Sequence, residues 1–277
     1  MSDDHNKAVT YSTYLKVDEL LSLQQPLSDG PEHDELLFIT IHQVYELWFA
    51  QMLHELAALQ PALEAGDTHR SLALLGRVRT IMKTCVAQID VLETMTPLQF
   101  QSFRSRLSSA SGFQSAQFRE LEAVLGRRDH AGEKAKEGTG MKMAEHLVPG
   151  SPARLKVEAA MSRRSVWDSA LAYCSVRGHQ MPEDVLSRDV SLGWEPREDV
   201  QAVLVTLHTT DPESALVCEA LVDLDEGLGE WSYRHVKMVE RTLGKKIGTG
   251  GSSGVGYLIS TLFNPFFPDL WAMRSAI

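Results

Sequence analysis

Apolar residues recur along this chain at steps of three and four, the spacing that puts them on one face of an α-helix, and few segments alternate as strands do. Leu37, Ile41, Val44, Trp48, Met52, Leu56 and Leu59 form one stripe over residues 34–60. Leu72, Leu75, Val78, Met82, Val86 and Ile89 form a second after Asp67. Thr96-Pro97-Leu98-Gln99 predicts a helix start, with a capping threonine, a proline in the first turn and a glutamine three residues on. Phe100, Phe103, Arg104 and Leu107 follow on that helix, Ser108 to Gly112 breaks it, and another helix ends at Gly126. Residues 127–150 are charged and glycine-containing and predict a surface loop. Ser151-Pro152 predicts a helix start that runs to about Gly178, and residues 179–197, with Pro182, Gly193 and Pro196, read as a connection. After Asp211-Pro212, Val217, Leu221, Leu224, Leu228, Trp231, His235 and Met238 fall at alternating steps of four and three. That seam spans roughly 50 Å of helix and closes at Gly244, a good residue to follow a helix end. The pattern predicts a single all-α domain over residues 1–277, a helical bundle with a long central helix.

Charge and cysteine content narrow the class. The chain of 277 residues carries a net charge of −10, which argues against a nucleic-acid or anionic-membrane partner. Its three cysteines, Cys85, Cys174 and Cys218, are far apart and form no framework, as expected of a reduced, cytoplasmic protein. The polar, acidic N-terminus does not read as a signal peptide, and the longest apolar run, Leu36 to Ile41, is far short of a membrane span.

Four features could carry chemistry. Residues 248–256 hold five glycines in nine positions, with Thr249 and two serines among them. Such backbone can approach a ligand closely, but Lys245 and Lys246 precede the glycines and no strand precedes the loop, so neither phosphate-loop order is met. His235 sits on the long apolar seam one turn after Trp231; it is a core histidine bonded to a carbonyl, or a neutral imidazole suited to an axial position on a metal cofactor. His42 follows Phe38 by one helical turn, either pairing with Glu46 or presenting a polar group in an aromatic pocket. Arg104 lies amid Phe100, Phe103 and Leu107, where an arginine forms a surface ion pair or clamps a carboxylate bidentately; Arg106 and Arg119 compete for that role. No histidine has a glutamate three residues before it, as a di-iron bundle needs, and no G-x-S-x-G elbow occurs.

Blocks in these regions resemble the tryptophan 2,3-dioxygenase family. They are Tyr11-Ser-Thr-Tyr14-Leu15, Gln25-Pro26-Leu27-Ser28, His33 to Ile39, His42 to Phe49, Leu92 to Pro97, Phe103-Arg104 and Ser111 to Ser115. Arg234-His235, Gly248 to Gly254 and Phe267 to Trp271 complete the set, in the family's order, within 11–126 and 231–274. The resemblance implies an all-α, haem-binding oxygenase in which His235 is the axial ligand of haem b and O₂ is the co-substrate. It makes His42 the distal catalytic histidine that meets the indole N–H. It places the run Phe38-Ile39-Thr40-Ile41-His42, with Tyr11, Leu15, Phe100 and Leu107, around L-tryptophan or a derivative. Arg104 matches the residue that takes the substrate carboxylate, and Gly248 and Thr249 match the loop that closes over its amino-acid end. Phe100 stands where some members carry tyrosine. The resemblance further implies a homotetramer whose N-terminal segment completes a neighbour's site. The implied reaction is oxidative cleavage of the indole C2–C3 bond to N-formylkynurenine; insertion of one oxygen atom into a tryptophan derivative is the alternative.

Overall fold

The computed structural model describes residues 9–30, 32–108, 110–129, 143–244 and 255–277, except the side chains of 257, 260 and 261. Among these residues the regular structure is α-helix and short 3₁₀ turns, with no strand. The N-terminal arm forms two short helices, α1 (Tyr11–Leu15) and α2 (Val17–Leu21). Then come α3 (His33–Glu64), α4 (Thr68–Leu92), α5 (Pro97–Arg104) and α6 (Ala116–Leu125). The second half holds α7 (Pro152–Met161), α8 (Val166–Val176), α9 (Glu183–Leu186), α10 (Glu198–Thr210), α11 (Pro212–Leu243), α12 (Val255–Thr261) and α13 (Pro268–Ala272).

Each main boundary has a local cause. Thr96 accepts from the Gln99 N–H, and the Gln99 side chain accepts in return from the Thr96 N–H, a closed capping box on α5. Asp67 caps α4 and Asp211 caps α11; Gly126 and Gly244 end α6 and α11 at positive φ, 138° and 62°, where a Cβ would be strained. Leu56, Leu59, Leu75, Val78, Val217, Leu221 and Leu224 are almost wholly buried. The middle position of the bundle belongs to α4: it packs along both α3 and α11, the two 32-residue helices, which do not approach each other closely. Gly227 permits the close α4–α11 approach, because a Cβ there would lie 3.3 Å from Met82 Cγ. Residues of α3, α4 and α11 all contribute to the cavity described below.

Two expectations change. The helix predicted from Ser151 to about Gly178 is two helices, because Ser165 and Asp168 form a second capping box that starts α8 anew. The stretch 127–150 is no mere surface loop at its ends: Arg128, Met143, Ala144 and Leu147 are buried, while residues 130–142 lie outside the described part. The reason is that Arg128 spends its guanidinium inside, donating to four backbone carbonyls. Helix α10, past the predicted connection, packs on α11 and α13. No described helix is long and apolar enough to cross a membrane.

Candidate functional site

A cavity of about 850 Å³ opens between α3, α6, α11 and the segment after α12. Its size falls among small-molecule and cofactor pockets, roughly 300–1,000 Å³. Aromatic and aliphatic side chains dominate its wall, and the two histidines singled out by the sequence, His42 and His235, both line it.

His235 owes its place to the seam of α11. Trp231, one turn earlier, stacks its ring on the imidazole, with centroids 5.2 Å apart and planes 15° from parallel. Trp231 is itself wedged edge-on against Tyr45 and Phe49 of α3 and packed on Phe118 of α6. The imidazole makes no hydrogen bond among the described residues, so the carbonyl-bonded core histidine is not what the structure holds. Burial, aided by the charges of His42 and Arg119, pushes its pKa down to about 4. The ring is therefore neutral at ordinary pH, with a lone pair available to an acceptor. Acid follows a definite sign. As pH falls below the ordinary 6.5, the unfolded chain takes up this proton first, and stability of the cofactor-free protein declines until about pH 4. The loss from this group is at most about 3 kcal/mol, lessened by the part of the ring that is accessible from the cavity. Urea midpoints across that window should fall more steeply for wild type than for His235→Leu; parallel curves would contradict the assignment.

His42 projects from α3. Its Nδ1 lies 2.7 Å from the Phe38 carbonyl oxygen. A carbonyl only accepts, so Nδ1 carries the hydrogen and Nε2 keeps its lone pair. Crowding by protein lowers the His42 pKa, which favours that neutral form. Glu46 does not hydrogen-bond to His42; its carboxylate accepts from Gln117 of α6 at 2.8 Å. Phe38 packs 4.1 Å from the His42 ring and joins Phe100 and Phe103 in one aromatic cluster.

The structure gathers only some of the expected contacts. Phe38, His42, Phe100, Leu107 and His235 line the cavity. Ile39, Thr40 and Ile41 do not, because successive residues of a helix turn by about 100°: Thr40 is exposed, and Ile41 packs into the core. Arg104 is half-buried at the end of α5 and does not line the cavity, whereas Arg119 and Arg127 do. Tyr11 and Leu15 lie on the exposed arm, 78% and 45% accessible. Gly248 and Thr249 fall outside the described residues.

Further residues that shape the cavity do not stand out in the helical pattern. Asp225 of α11 is buried and accepts from the Phe266 and Phe267 backbone N–H groups and the Trp271 indole N–H. Burial raises its pKa despite those donors. It fastens the segment 262–266, part of the cavity wall, to the helix that carries His235. Its sign in the sequence was an acid interrupting the apolar face of α11, one place after Leu224. Asp269, on α13, holds the far side through Trp194, Arg197 and Gln201.

With that geometry in view, the comparisons decide the family. The sequence profile described as Tryptophan 2,3-dioxygenase matches residues 2–148 and 197–277. The chain belongs to the tryptophan 2,3-dioxygenase family. A tryptophan 2,3-dioxygenase of Anaeromyxobacter sp. (strain K) is 55% identical over 99% of this chain and 98% of its own length. That of Herpetosiphon aurantiacus is 52% identical over 98% and 99%, and that of Caulobacter vibrioides 41% over 97% and 98%. The likeness thus runs through much of 127–230, beyond the blocks quoted from the sequence; the profile leaves out only 149–196 within the matched span. Among the described residues no group of three or more His, Cys, Asp or Glu could hold a metal ion. A single unbonded, neutral imidazole facing an apolar cavity instead fits a metal that brings its other ligands with it, as in haem.

Proposed function

We propose that this protein is a haem-dependent dioxygenase that opens the indole ring of L-tryptophan between C2 and C3, giving N-formylkynurenine. The observation that carries the reading is the imidazole of His235, unbonded among the described residues, lining the same aromatic-walled cavity as His42 in a chain of this family. His235 would hold the iron of haem b, and the haem would supply the activation of O₂. The protein's own share is placement. Phe38 and Phe100 offer flat apolar contact to an indole. His42 Nε2, fixed as an acceptor by the Phe38 carbonyl, takes a hydrogen bond from the ring N–H and sets the ring's orientation. The relatives' shared name favours ring cleavage over insertion of one oxygen atom. The exposed arm with Tyr11 and Leu15 supports the reading that it completes the site of a neighbour in a homotetramer.

Mass spectrometry of the product from L-tryptophan under reducing conditions tests the reaction: a gain of two oxygen atoms with ring opening supports it, and a gain of one overturns it. His42→Ala should lower kcat by about tenfold or more if its hydrogen bond acts in the transition state, with the Soret band retained. Arg104 stands off the cavity wall, and its carboxylate role comes from the family resemblance: if it holds, Arg104→Leu should raise KM for tryptophan by at least about tenfold and leave haem affinity unchanged; an unaltered KM removes Arg104 from carboxylate binding.

A further inference from the structure

The stretch between α12 and α13 is part of the cavity wall, and it is held differently from the rest. The walls on α3, α6 and α11 are regular helices whose apolar faces pack into the core. Leu262, Phe263, Asn264, Pro265 and Phe266 line the cavity without belonging to any helix. Phe263 lines it while 88% exposed, so this stretch is a rim, where the cavity meets solvent. Asn264 and Pro265 are exposed as well. Side chains left in water give a segment little hydrophobic hold; what keeps this one in place is polar.

Two charged side chains supply that hold. Asp225 of α11 is 6% exposed. Its carboxylate accepts from the Phe266 N–H at 3.0 Å, the Phe267 N–H at 3.1 Å and the Trp271 indole N–H at 3.0 Å. Just past α6, Arg127 donates to the Asn264 carbonyl at 3.1 Å and sets its guanidinium carbon 4.6 Å over the Phe266 ring. Beyond Phe266 the anchoring changes in kind. Phe267, Leu270 and Met273 are buried in the core, and Asp269 ties α13 to Trp194, Arg197 and Gln201. The rim is therefore a short stretch beside a buried anchor, fastened by a few hydrogen bonds. Local opening follows such boundaries, where few apolar contacts must be given up.

We propose that residues 262–266 are a latched rim that opens as a unit, and that Asp225 sets how fast the cavity takes up and releases the cofactor it holds. The inference rests on the haem reading above and extends it to the route of loading. A latch made equally in the empty and the filled protein acts on both rates alike. Weakening it raises the open fraction, so uptake and release quicken together while affinity stays the same. A damaged binding surface behaves otherwise: release quickens alone and affinity falls. Asp225→Asn separates the two, because it keeps the size of the side chain but turns one acceptor oxygen into an NH₂ group among N–H donors.

The test uses the full-length protein with Asp225→Asn, with Trp271→Phe, which removes one donor from the latch, and with Asp269→Asn. The last strips buried ties from α13 away from the cavity and controls for a general loss of stability. Hydrogen exchange of the cofactor-free protein, read by mass spectrometry, follows the Phe266 and Phe267 amides. Stopped-flow at the Soret band gives the rate of hemin uptake, and transfer to an excess of a globin apoprotein gives the rate of release. In Asp225→Asn, exchange at 266–267 and both hemin rates should rise about tenfold or more, with the dissociation constant within about threefold of wild type. Trp271→Phe should shift the same quantities in the same direction by less, and Asp269→Asn should leave both hemin rates as they are. Unchanged exchange, unchanged hemin rates, release that quickens with a matching loss of affinity, or an equal effect from Asp269→Asn each overturns the proposal and leaves Asp225 as a structural tie. Wild-type protein that takes up no hemin overturns the haem reading instead; exchange, together with the uptake and release rates of the apolar dye anilinonaphthalene sulfonate, then decides the rim by the same criteria.

Discussion

His235→Ala should yield a protein that folds, does not retain hemin, and does not turn over tryptophan. The cause is local. The imidazole contributes a neutral nitrogen that no other group among the described residues claims, and Trp231 fixes the plane of the ring by stacking on it. Alanine removes that nitrogen without disturbing a hydrogen bond, since none is made among the described residues. Folding should therefore survive, whereas the stabilisation that a tightly bound ligand adds should vanish. Two measurements separate these effects: the Soret titration, and the thermal midpoint with and without hemin. Wild type should gain stability on hemin addition and the variant should not. Added imidazole should restore part of the spectrum by occupying the vacated space. A variant with a normal Soret band and normal turnover would falsify the axial assignment.

The second large effect is structural and reaches the site indirectly. Arg128→Met should destabilise the protein by about 3–5 kcal/mol, a large fraction of the roughly 5–15 kcal/mol that holds a typical domain folded. Arg128 is 4% exposed. Its Nη1 donates to the Ala123 and Arg127 carbonyls at 2.6 and 2.9 Å, its Nε to Val190 at 2.9 Å, and its Nη2 to Arg163 at 2.8 Å. Methionine matches much of the length but leaves these carbonyls without their donor. They belong to the end of α6, the link before α8 and the loop after α9, so one side chain ties three segments together. Phe118, Arg119 and Leu121 of α6 line the cavity, so hemin affinity should fall along with stability. Denaturant unfolding checks the first expectation: a loss below about 1 kcal/mol would mean that water satisfies those carbonyls.

Much of the bundle was legible because helical periodicity and capping are local. The stripe from Leu37 to Leu59, the Thr96–Gln99 box and the seam from Val217 to Met238 each depend on residues within one or two turns, and each stands as the pattern predicts. The division of 152–176 into two helices was also local, written in Ser165 and Asp168, but a continuous apolar pattern masked it. For the site, the sequence spacing placed His42 one turn from Phe38 and His235 one turn from Trp231, and both pairs meet as ring contacts.

What no local rule could supply is which faces look at one another. By itself the sequence determined an all-α chain, the caps that bound its helices, and two histidines set among aromatic residues. Only the tertiary structure decided that α4 packs along both α3 and α11 and that two separate histidines line one cavity. It also decided that Arg128, in a run of charges, is buried, and that Arg119 rather than Arg104 faces the cavity. The physical reason is that burial of a charge depends on the carbonyls and carboxylates brought to it by distant segments. Those partners, at Arg163 and Val190 for Arg128, lie 35 and 62 residues away along the chain, beyond the reach of any helical period.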